Sequence, residues 1–194
     1  MVLNYILSDI NDNLLAGIAS ILASNALISN STAGVIGSML ISPYLEPVKL
    51  FLDTKHPSHL LNLGVLILIS IVVGYVYHKI YATYFEKNEH LTVSNHDQSE
   101  MESRTDGRIG TYINAFIYAF FAGVVLRLNK HSKEITNIIG IGIGASLLPP
   151  VVNCGLHFSK NEYEKGVNSL KLSIVNIIAI IVGYMGTNSV YKKI

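Results

Sequence analysis

Long apolar segments, separated by short polar connections, fill most of this chain. A helix needs about 20 mainly apolar residues to cross the hydrocarbon core of a bilayer, with about 17 to 25 as the usual range. The first apolar segment is short and contains Asn25, and the third ends in closely spaced tyrosines, as is common at membrane interfaces. The pattern predicts about six membrane-spanning helices, at residues 14–28, 33–52, 60–84, 109–128, 135–158 and 166–185.

The two halves of the chain resemble each other in the order of their motifs. With Gly37 aligned on Gly144, leucines and prolines fall at matching places, and farther on "IVVGY" at 71–75 corresponds to "IIVGY" at 180–184. Because each half holds an odd number of predicted helices, the second copy would lie upside down relative to the first. We therefore predict one all-α membrane domain, residues 1–194, built from inverted three-helix repeats at about 13–85 and 109–190, with a polar loop at about 86–108.

Two of the predicted helices, the second and the fifth, contain prolines in their interior. A proline has no N–H, and its ring clashes with the carbonyl four residues earlier, so the backbone there loses a hydrogen bond. An unpaired carbonyl facing lipid costs several kcal/mol, so such breaks occur where protein or a water-filled cavity supplies partners. We expect both breaks to lie inside the bundle and to meet near the bilayer middle. The loosened carbonyls are predicted at Met39, Pro43, Ala145 and Ser146.

Polar residues near these prolines form a candidate pathway for a small ion or solute. Glu46 is the most unusual of them, since an ionisable group within a membrane span is expensive and usually functional. It would serve as a proton carrier or cation ligand; alternatively, it faces water or pairs with Lys49 three residues on. Both interpretations fit the sequence. The candidate residues are Ser38, Ser42, Pro43, Glu46, Pro47, Ser146, Pro149, Pro150 and Asn153.

Composition supports a membrane location. Half of the residues are hydrophobic and 14% are charged, against roughly a quarter charged in soluble domains. A soluble helical bundle is disfavoured because the apolar segments leave no polar face for water. The net charge of +1 gives no basic field for nucleic acid, so the expected partner is the lipid bilayer. The first residues have no basic region ahead of the apolar stretch, so we expect no cleaved signal peptide.

Other site chemistry finds little support in the sequence. The run of glycines at 140–144 has neither the lysine nor the preceding strand of a phosphate-binding loop. Close helix packing explains small residues four apart better, as at Gly140 and Gly144 or at Gly34 and Ser38. The histidines have no zinc-protease spacing and are expected at surfaces or interfaces, and Cys154 is the only cysteine. We therefore predict no catalytic residue, metal site or cofactor.

Two motifs and the segment before the fourth predicted helix resemble a known family. "GVIGSMLISPYLEP", "GIGASLLPPVV" and "SRTDG" together look like the membrane family called domain of unknown function 389. The resemblance covers about residues 14–185. It implies a protein with several membrane-spanning helices and carries no established activity. Glu46 departs from the family's pattern, which is typically apolar with a glycine before the last proline of the first motif.

Two functions fit these observations. The paired breaks, with Glu46 and Asn153 beside them, favour a transporter or channel for a small ion or solute. The alternative is a membrane scaffold that moves no solute and forms homo-oligomers through its small-residue helix faces.

Overall fold

A computed structural model of the chain describes residues 2–84, 100–128 and 146–191, with side chains from Ile10 to Ser189. These residues form α-helices and one short 3₁₀ turn, Glu102–Arg104, and contain no strand. The seven α-helices are α1 (Val2–Ile28), α2 (Thr32–Ile41), α3 (Leu45–Thr54), α4 (Ser58–Tyr84), α5 (Ile109–Leu128), α6 (Leu148–Ser159) and α7 (Tyr163–Tyr191).

The predicted all-α class is confirmed for this part of the chain, and three helices are long and apolar enough to cross a membrane. They are Ser58–Tyr84, Ile109–Leu128 and Tyr163–Ser189. The predicted second helix is two helices, α2 and α3, that bend by 43° and would count as a fourth span if taken together. Most of the predicted polar loop, and the first part of the predicted fifth helix at 135–145, lie outside the described residues.

Large apolar side chains cover the outside of the bundle. On α4, Leu61, Leu68 and Val72 are largely exposed, and Ile109 and Phe121 are exposed on α5. Soluble proteins rarely expose continuous apolar surface on this scale, whereas lipid chains solvate it well. Together with helix length, this surface indicates a membrane protein.

Hydrogen bonds between helices establish their relative directions. In the first half, Ser20 bonds Ser70 and Tyr77 bonds Asn25, so α1 and α4 run parallel. In the second half, the Tyr112 hydroxyl bonds the backbone of residue 168 and Arg127 bonds residue 188, so α5 and α7 run parallel.

The two pairs of helices run in opposite directions through the bundle. Segment 100–105 lies at one end, where it bonds Thr32 just after α1 ends and Lys165 just after α7 begins. At the other end, Asp53 near the end of α3 accepts a hydrogen bond from Tyr184, which lies in the second half of α7. The carboxyl end of α1 therefore lies beside the amino end of α7.

Glycines allow two pairs of helices to approach to backbone distance. A Cβ atom added at Gly74 on α4 would lie 2.6 Å from the Val152 carbonyl oxygen on α6, and one added at Gly155 would collide with the Ile71 carbonyl oxygen. On the other pair, Cβ atoms at Gly123 of α5 and Gly183 of α7 would collide with carbonyl oxygens of the facing helix. Small residues at such crossings are typical of membrane helix packing.

The small-residue face predicted at Gly34 and Ser38 packs within the chain. A Cβ atom at Gly34 would lie 2.8 Å from the Cβ of Ala26 on α1, and Ser38 is buried. This face thus joins α1 to α2. The other predicted face, at Gly140 and Gly144, lies outside the described residues.

Candidate functional site

The first break separates α2 from α3 at Ser42 and Pro43. The two carbonyls predicted to be loosened here are both paired, since Met39 accepts from the N–H of Ser42 and Pro43 accepts from the N–H of Glu46, each at 3.3 Å. These short-range bonds close the turn locally. The break therefore needs no water to satisfy these backbone groups.

Tyr44 ties the first break to the neighbouring helices. This side chain is buried, and its hydroxyl lies 3.0 Å from the Leu66 carbonyl and 2.9 Å from the Ser70 hydroxyl of α4. Ser70 also accepts a hydrogen bond from Ser20 on α1 at 2.6 Å. One small polar network thus holds the break against both long helices of its half.

The predicted site residues of the first half lie in different environments. Ser38 is buried and donates to the Val35 carbonyl of its own helix, while the buried hydroxyl oxygen of Ser42 has no hydrogen-bond partner. Pro47 is buried in the first turn of α3, and Glu46 is exposed in the same turn. A carboxylate there is favourable because it lies near the positive end of the helix dipole.

The second break lies just before α6. Pro149 and Pro150, which were expected to interrupt a helix, occupy the first turn of α6, and Ser146 and Leu147 before them lie outside it. The part of the predicted helix that precedes the break, at 135–145, lies outside the described residues. The missing N–H groups cost nothing there, because first-turn N–H groups have no partner within the helix. Just before them, Ser146 has a φ of 42°, in the left-handed region that side chains rarely adopt.

Side chains of α7 bind the backbone at this second break. The carbonyl of Ser146 accepts from the Asn176 amide at 3.2 Å, and that of Leu147 lies 3.4 Å from the Ser173 hydroxyl. Ser173 and Asn176 are both buried. Protein groups therefore supply the partner predicted for the Ser146 carbonyl; Ala145 lies outside the described residues.

Asn153 lies deeper along the same surface of α6. Its amide nitrogen donates to the Met101 carbonyl at 3.0 Å and to the Ser169 hydroxyl at 3.1 Å, and the whole side chain is buried. Its amide oxygen has no partner. Asn153 thus links α6 to α7 and to the segment before α5.

Sequence reasoning missed Ser169, Ser173 and Asn176, which form a polar stripe on α7. They are spaced by four and then three residues, so they share one helix face. The sequence shows this spacing, but the spacing indicates a role for these residues only once the facing surface of α6 is known. We call these three residues the α7 polar stripe.

A cavity of about 570 Å³ lies beside the second break and opens to the outside. Its lining includes Ser146 and the buried Asn176, and Ser103 and Arg104 of the segment that leads into α5. The lining is completed by Thr111, Ala115, Tyr118, Phe121 and Leu172. A few polar groups in a mainly apolar wall are the usual composition of a small-molecule site.

The two breaks are held by separate networks. Tyr44 bonds to α4, whereas Ser146 and Leu147 bond to α7. α2 contacts α6, but within the described ranges no hydrogen bond joins the Ser42–Tyr44 turn to the start of α6. The expected meeting of the two breaks near the bilayer middle stays a prediction.

Segment 100–105 forms a polar cap over one end of the bundle. The N–H of Glu100 donates to Asn30, and its carboxylate accepts from the Thr32 hydroxyl at 2.6 Å and from Arg104 at 2.6 Å. Glu102 accepts from Lys165 of α7 at 2.8 Å. The cap therefore joins the first half of the chain to the second.

Both carboxylates of this cap are stabilised in their charged form. At Glu100, partial burial opposes ionisation, but hydrogen bonds from Thr32 and Arg104, with the Arg104 charge, lower the pKa below its ordinary value. At Glu102, the hydrogen bond from Lys165 is the largest cause and also lowers the pKa. The cap is thus strongest at neutral pH.

Replacing Thr32 by Val should weaken this cap by about 1 kcal/mol or less at pH 7, because Glu100 is partly exposed. A lowered folded-state pKa gives stability above the unfolded pKa of about 4.3 that is lost as pH falls. The difference between the two proteins should therefore shrink in acid. Unfolding free energies in detergent at both pH values test this, with Thr83→Val as control, since the Thr83 hydroxyl bonds only its own helix.

His157 was expected at a surface or interface but is buried at the end of α6, with Nδ1 lying 2.5 Å from a carboxylate oxygen of Glu162. Burial of the ring is possible because this partner satisfies one nitrogen. Among the residues the structure describes, no three His, Cys, Asp or Glu side chains are arranged to hold a metal ion.

Comparison with known proteins gives one match. The model of the family described as "Domain of unknown function (DUF389)" matches residues 39–182, which include both breaks, the cavity and the polar cap. No curated protein and no solved structure matches the chain. Since the match covers well over half of its length, the chain belongs to the domain of unknown function 389 family.

Proposed function

We propose that this protein is a transporter or channel that moves a small ion or polar solute across a membrane. One observation carries the proposal: an interrupted backbone at Ser146, bound by buried polar side chains, opens onto a 570 Å³ cavity. Irregular backbone at membrane depth is tolerated where it is buried in protein or lines a cavity. Such interruptions recur at the binding sites of transporters. The proposed role needs no catalytic residue and no cofactor.

The opposite directions of the two halves also support this proposal. α1 and α4 run one way, and α5 and α7 run the other. In the chain, the bent pair α2 and α3 lies between α1 and α4, and α6, preceded by the irregular backbone at Ser146, lies between α5 and α7. We propose that the halves are inverted repeats, as the matching motifs suggest. In that arrangement, movement of one half against the other would expose the cavity to alternate sides.

Flux through purified protein in liposomes tests the proposal. Ala115 lines the cavity, so Ala115→Trp should block it and lower flux at least about tenfold, equivalent to a barrier higher by about 1.4 kcal/mol. The measurement is light scattering during swelling in isotonic glycerol, urea, sodium chloride, potassium chloride and potassium acetate, with an ionophore or proton carrier added to the salt solutions so that the counter-charge can move. The matched control is Asn114→Trp, one residue earlier on α5 and exposed.

Wild-type liposomes that swell no faster than empty ones in every solution would refute the transport role. Equal loss of flux in both tryptophan variants would instead show that the cavity is not part of the transport pathway. An oligomeric protein that moves nothing would favour the scaffold role. For that role, the outer face of α1 around Gly17 offers a groove of about 430 Å³.

A further inference from the structure

The cavity beside the second break contains one charged side chain among its described lining residues. That residue is Arg104, and none of the other eight carries a carboxylate. The remaining polar groups are the hydroxyls of Ser103, Thr111, Tyr118 and Ser146, with the Asn176 amide. The Ser103 and Thr111 hydroxyls already donate to Glu100 and Asp106. A ligand in this space would meet a guanidinium and several hydrogen-bond donors.

The hydrogen bonds of Arg104 leave much of its guanidinium unused. In the described part of the chain, all of them are made by Nη1, to the backbone and carboxylate of Glu100 and to Ser103. The N–H groups of Nε and Nη2 therefore keep free donors on adjacent atoms. Two parallel N–H groups of this kind match the two oxygens of a carboxylate.

The start of α6 adds a second positive contribution. Ser146, which lines the cavity, lies two residues before α6 begins, and the amino end of a helix carries about half a positive charge. Pro149 and Pro150 supply no N–H donors there, so this helix end has fewer backbone donors than usual. The side-chain donors for a ligand are Arg104, the hydroxyls of Tyr118 and Ser146, and the second N–H of the Asn176 amide.

The rest of the wall favours an apolar body on the ligand. Ala115, Tyr118, Phe121 and Leu172 present carbon surface and two aromatic rings, of which Tyr118 and Phe121, 68% and 60% exposed, lie where the cavity opens to the outside. A cavity of 570 Å³ accommodates a molecule with a small ring or short chain, since sites for small molecules start at about 300 Å³. Inorganic ions would leave most of this surface uncovered.

We propose that this cavity binds a small organic carboxylate, whose anionic group pairs with Arg104 and whose apolar part lies against Tyr118 and Phe121. The proposal deepens the transport role above by naming its substrate class. Glu100 reduces the net positive charge that a ligand meets at Arg104, because its carboxylate is paired with the same guanidinium. It follows that removing the charge of Glu100 should strengthen binding.

Binding of benzoate, benzamide and benzylamine to the purified protein in lipid nanodiscs tests this directly. The three probes share a ring and differ in charge, and saturation-transfer NMR measures weak binding of each. Benzoate should bind most tightly. Arg104→Gln should weaken benzoate roughly 10- to 100-fold, the loss expected for hydrogen bonds to a charged group, and leave benzamide nearly unchanged.

Two further variants make the result specific. Arg108→Gln removes the same charge four residues later from a side chain that is 79% exposed and outside the cavity, so benzoate binding should stay within about twofold. Glu100→Gln keeps Arg104 and should tighten benzoate binding. Glu100→Gln also removes one contact of the cap, so damage to the fold would weaken benzoate binding in this variant as well. Tighter binding in Glu100→Gln therefore separates a change of charge at the site from damage to the fold.

Equal or tighter binding of benzylamine would overturn the proposal, as would equal effects of Arg104→Gln and Arg108→Gln. The transport role is decided separately. Benzoate binding without flux of any solute would retain the carboxylate site and reject transport. Flux without preference for carboxylates would retain transport and reject this substrate class.

Discussion

Replacing Gly155 by Ala should destabilise the protein by about 3 kcal/mol, the upper part of the usual range for overpacking a tight interior. The added methyl group would collide with the Ile71 carbonyl oxygen and would also meet the backbone of Tyr75 on α4. Both obstacles are backbone atoms, so no side-chain rotation relieves the contact. The helices must move apart, and the packing around Gly74 and Val152 is then lost as well.

Intrinsic helix propensity favours alanine over glycine and so opposes this loss of stability. A glycine with open space around it therefore serves as the control. Alanine favours a helix over glycine by up to about 1 kcal/mol. Gly64 lies on α4, and a Cβ atom there would meet nothing within 4 Å. Gly64→Ala should therefore be neutral or slightly stabilising. Unfolding by SDS titration in mixed micelles measures both variants.

The other crossing provides an independent repetition. Gly183→Ala on α7 should also cost about 3 kcal/mol, since its methyl group would collide with the Phe120 carbonyl oxygen. Gly186, on the same helix, has open space and serves as its control. If either crossing variant proves as stable as its control, the two helices do not approach as closely as the structure indicates.

The apolar pattern predicted two of the long helices to within two residues because length and composition decide them locally, whereas α1 begins at Val2 and was predicted only from residue 14. The prediction at 109–128 agrees with α5, Ile109–Leu128, and that at 60–84 differs from α4 by two residues at one end. A helix this apolar satisfies its own backbone and needs no tertiary partner to define its limits. The prolines also marked both irregular regions, since the loss of an N–H is a property of the residue itself.

Tertiary contacts decide which helices pack together and which polar groups bind each other, and the sequence did not predict these features. The "IVVGY" and "IIVGY" motifs suggested a repeat, but not that Gly74 would face α6 while Gly183 faces α5. Asn176 lies 30 residues from Ser146, whose carbonyl it binds. No local pattern specifies such a pair. For the same reason, the sequence located the irregular backbone before Pro149 but not the side chains that bind it.

The second large effect is expected at Asn153, the buried amide that joins α6 to segment 100–105. Asn153→Asp replaces the donor to the Met101 carbonyl by a negatively charged oxygen, and the groups that Asn153 binds are uncharged. A buried charge left without a partner costs about 3 to 5 kcal/mol. We expect a loss of stability of this size at neutral pH, measured by SDS titration.

Asn153→Leu separates the missing hydrogen bonds from the added charge. It leaves the Met101 carbonyl and Ser169 hydroxyl without their partner but introduces no charge, so it should cost about 1 to 3 kcal/mol. Asn161→Asp, in the exposed turn before α7, controls for the change of net charge and should have little effect. The order expected is therefore Asn153→Asp, Asn153→Leu and Asn161→Asp, from most to least destabilising.

One rearrangement could rescue the aspartate, and it can be tested. Lys165 lies one helical turn before Ser169, the residue that Asn153 binds, and now pairs with Glu102. If Lys165 turned toward the new carboxylate, Asn153→Asp would cost less than Asn153→Leu, and adding Lys165→Gln would restore the full loss. Stability of Asn153→Asp equal to wild type in both backgrounds would mean either that water reaches the carboxylate or that the carboxyl is protonated and donates to the Met101 carbonyl. Repeating the titration at higher pH separates the two, because only a protonated carboxyl would lose stability as it ionises.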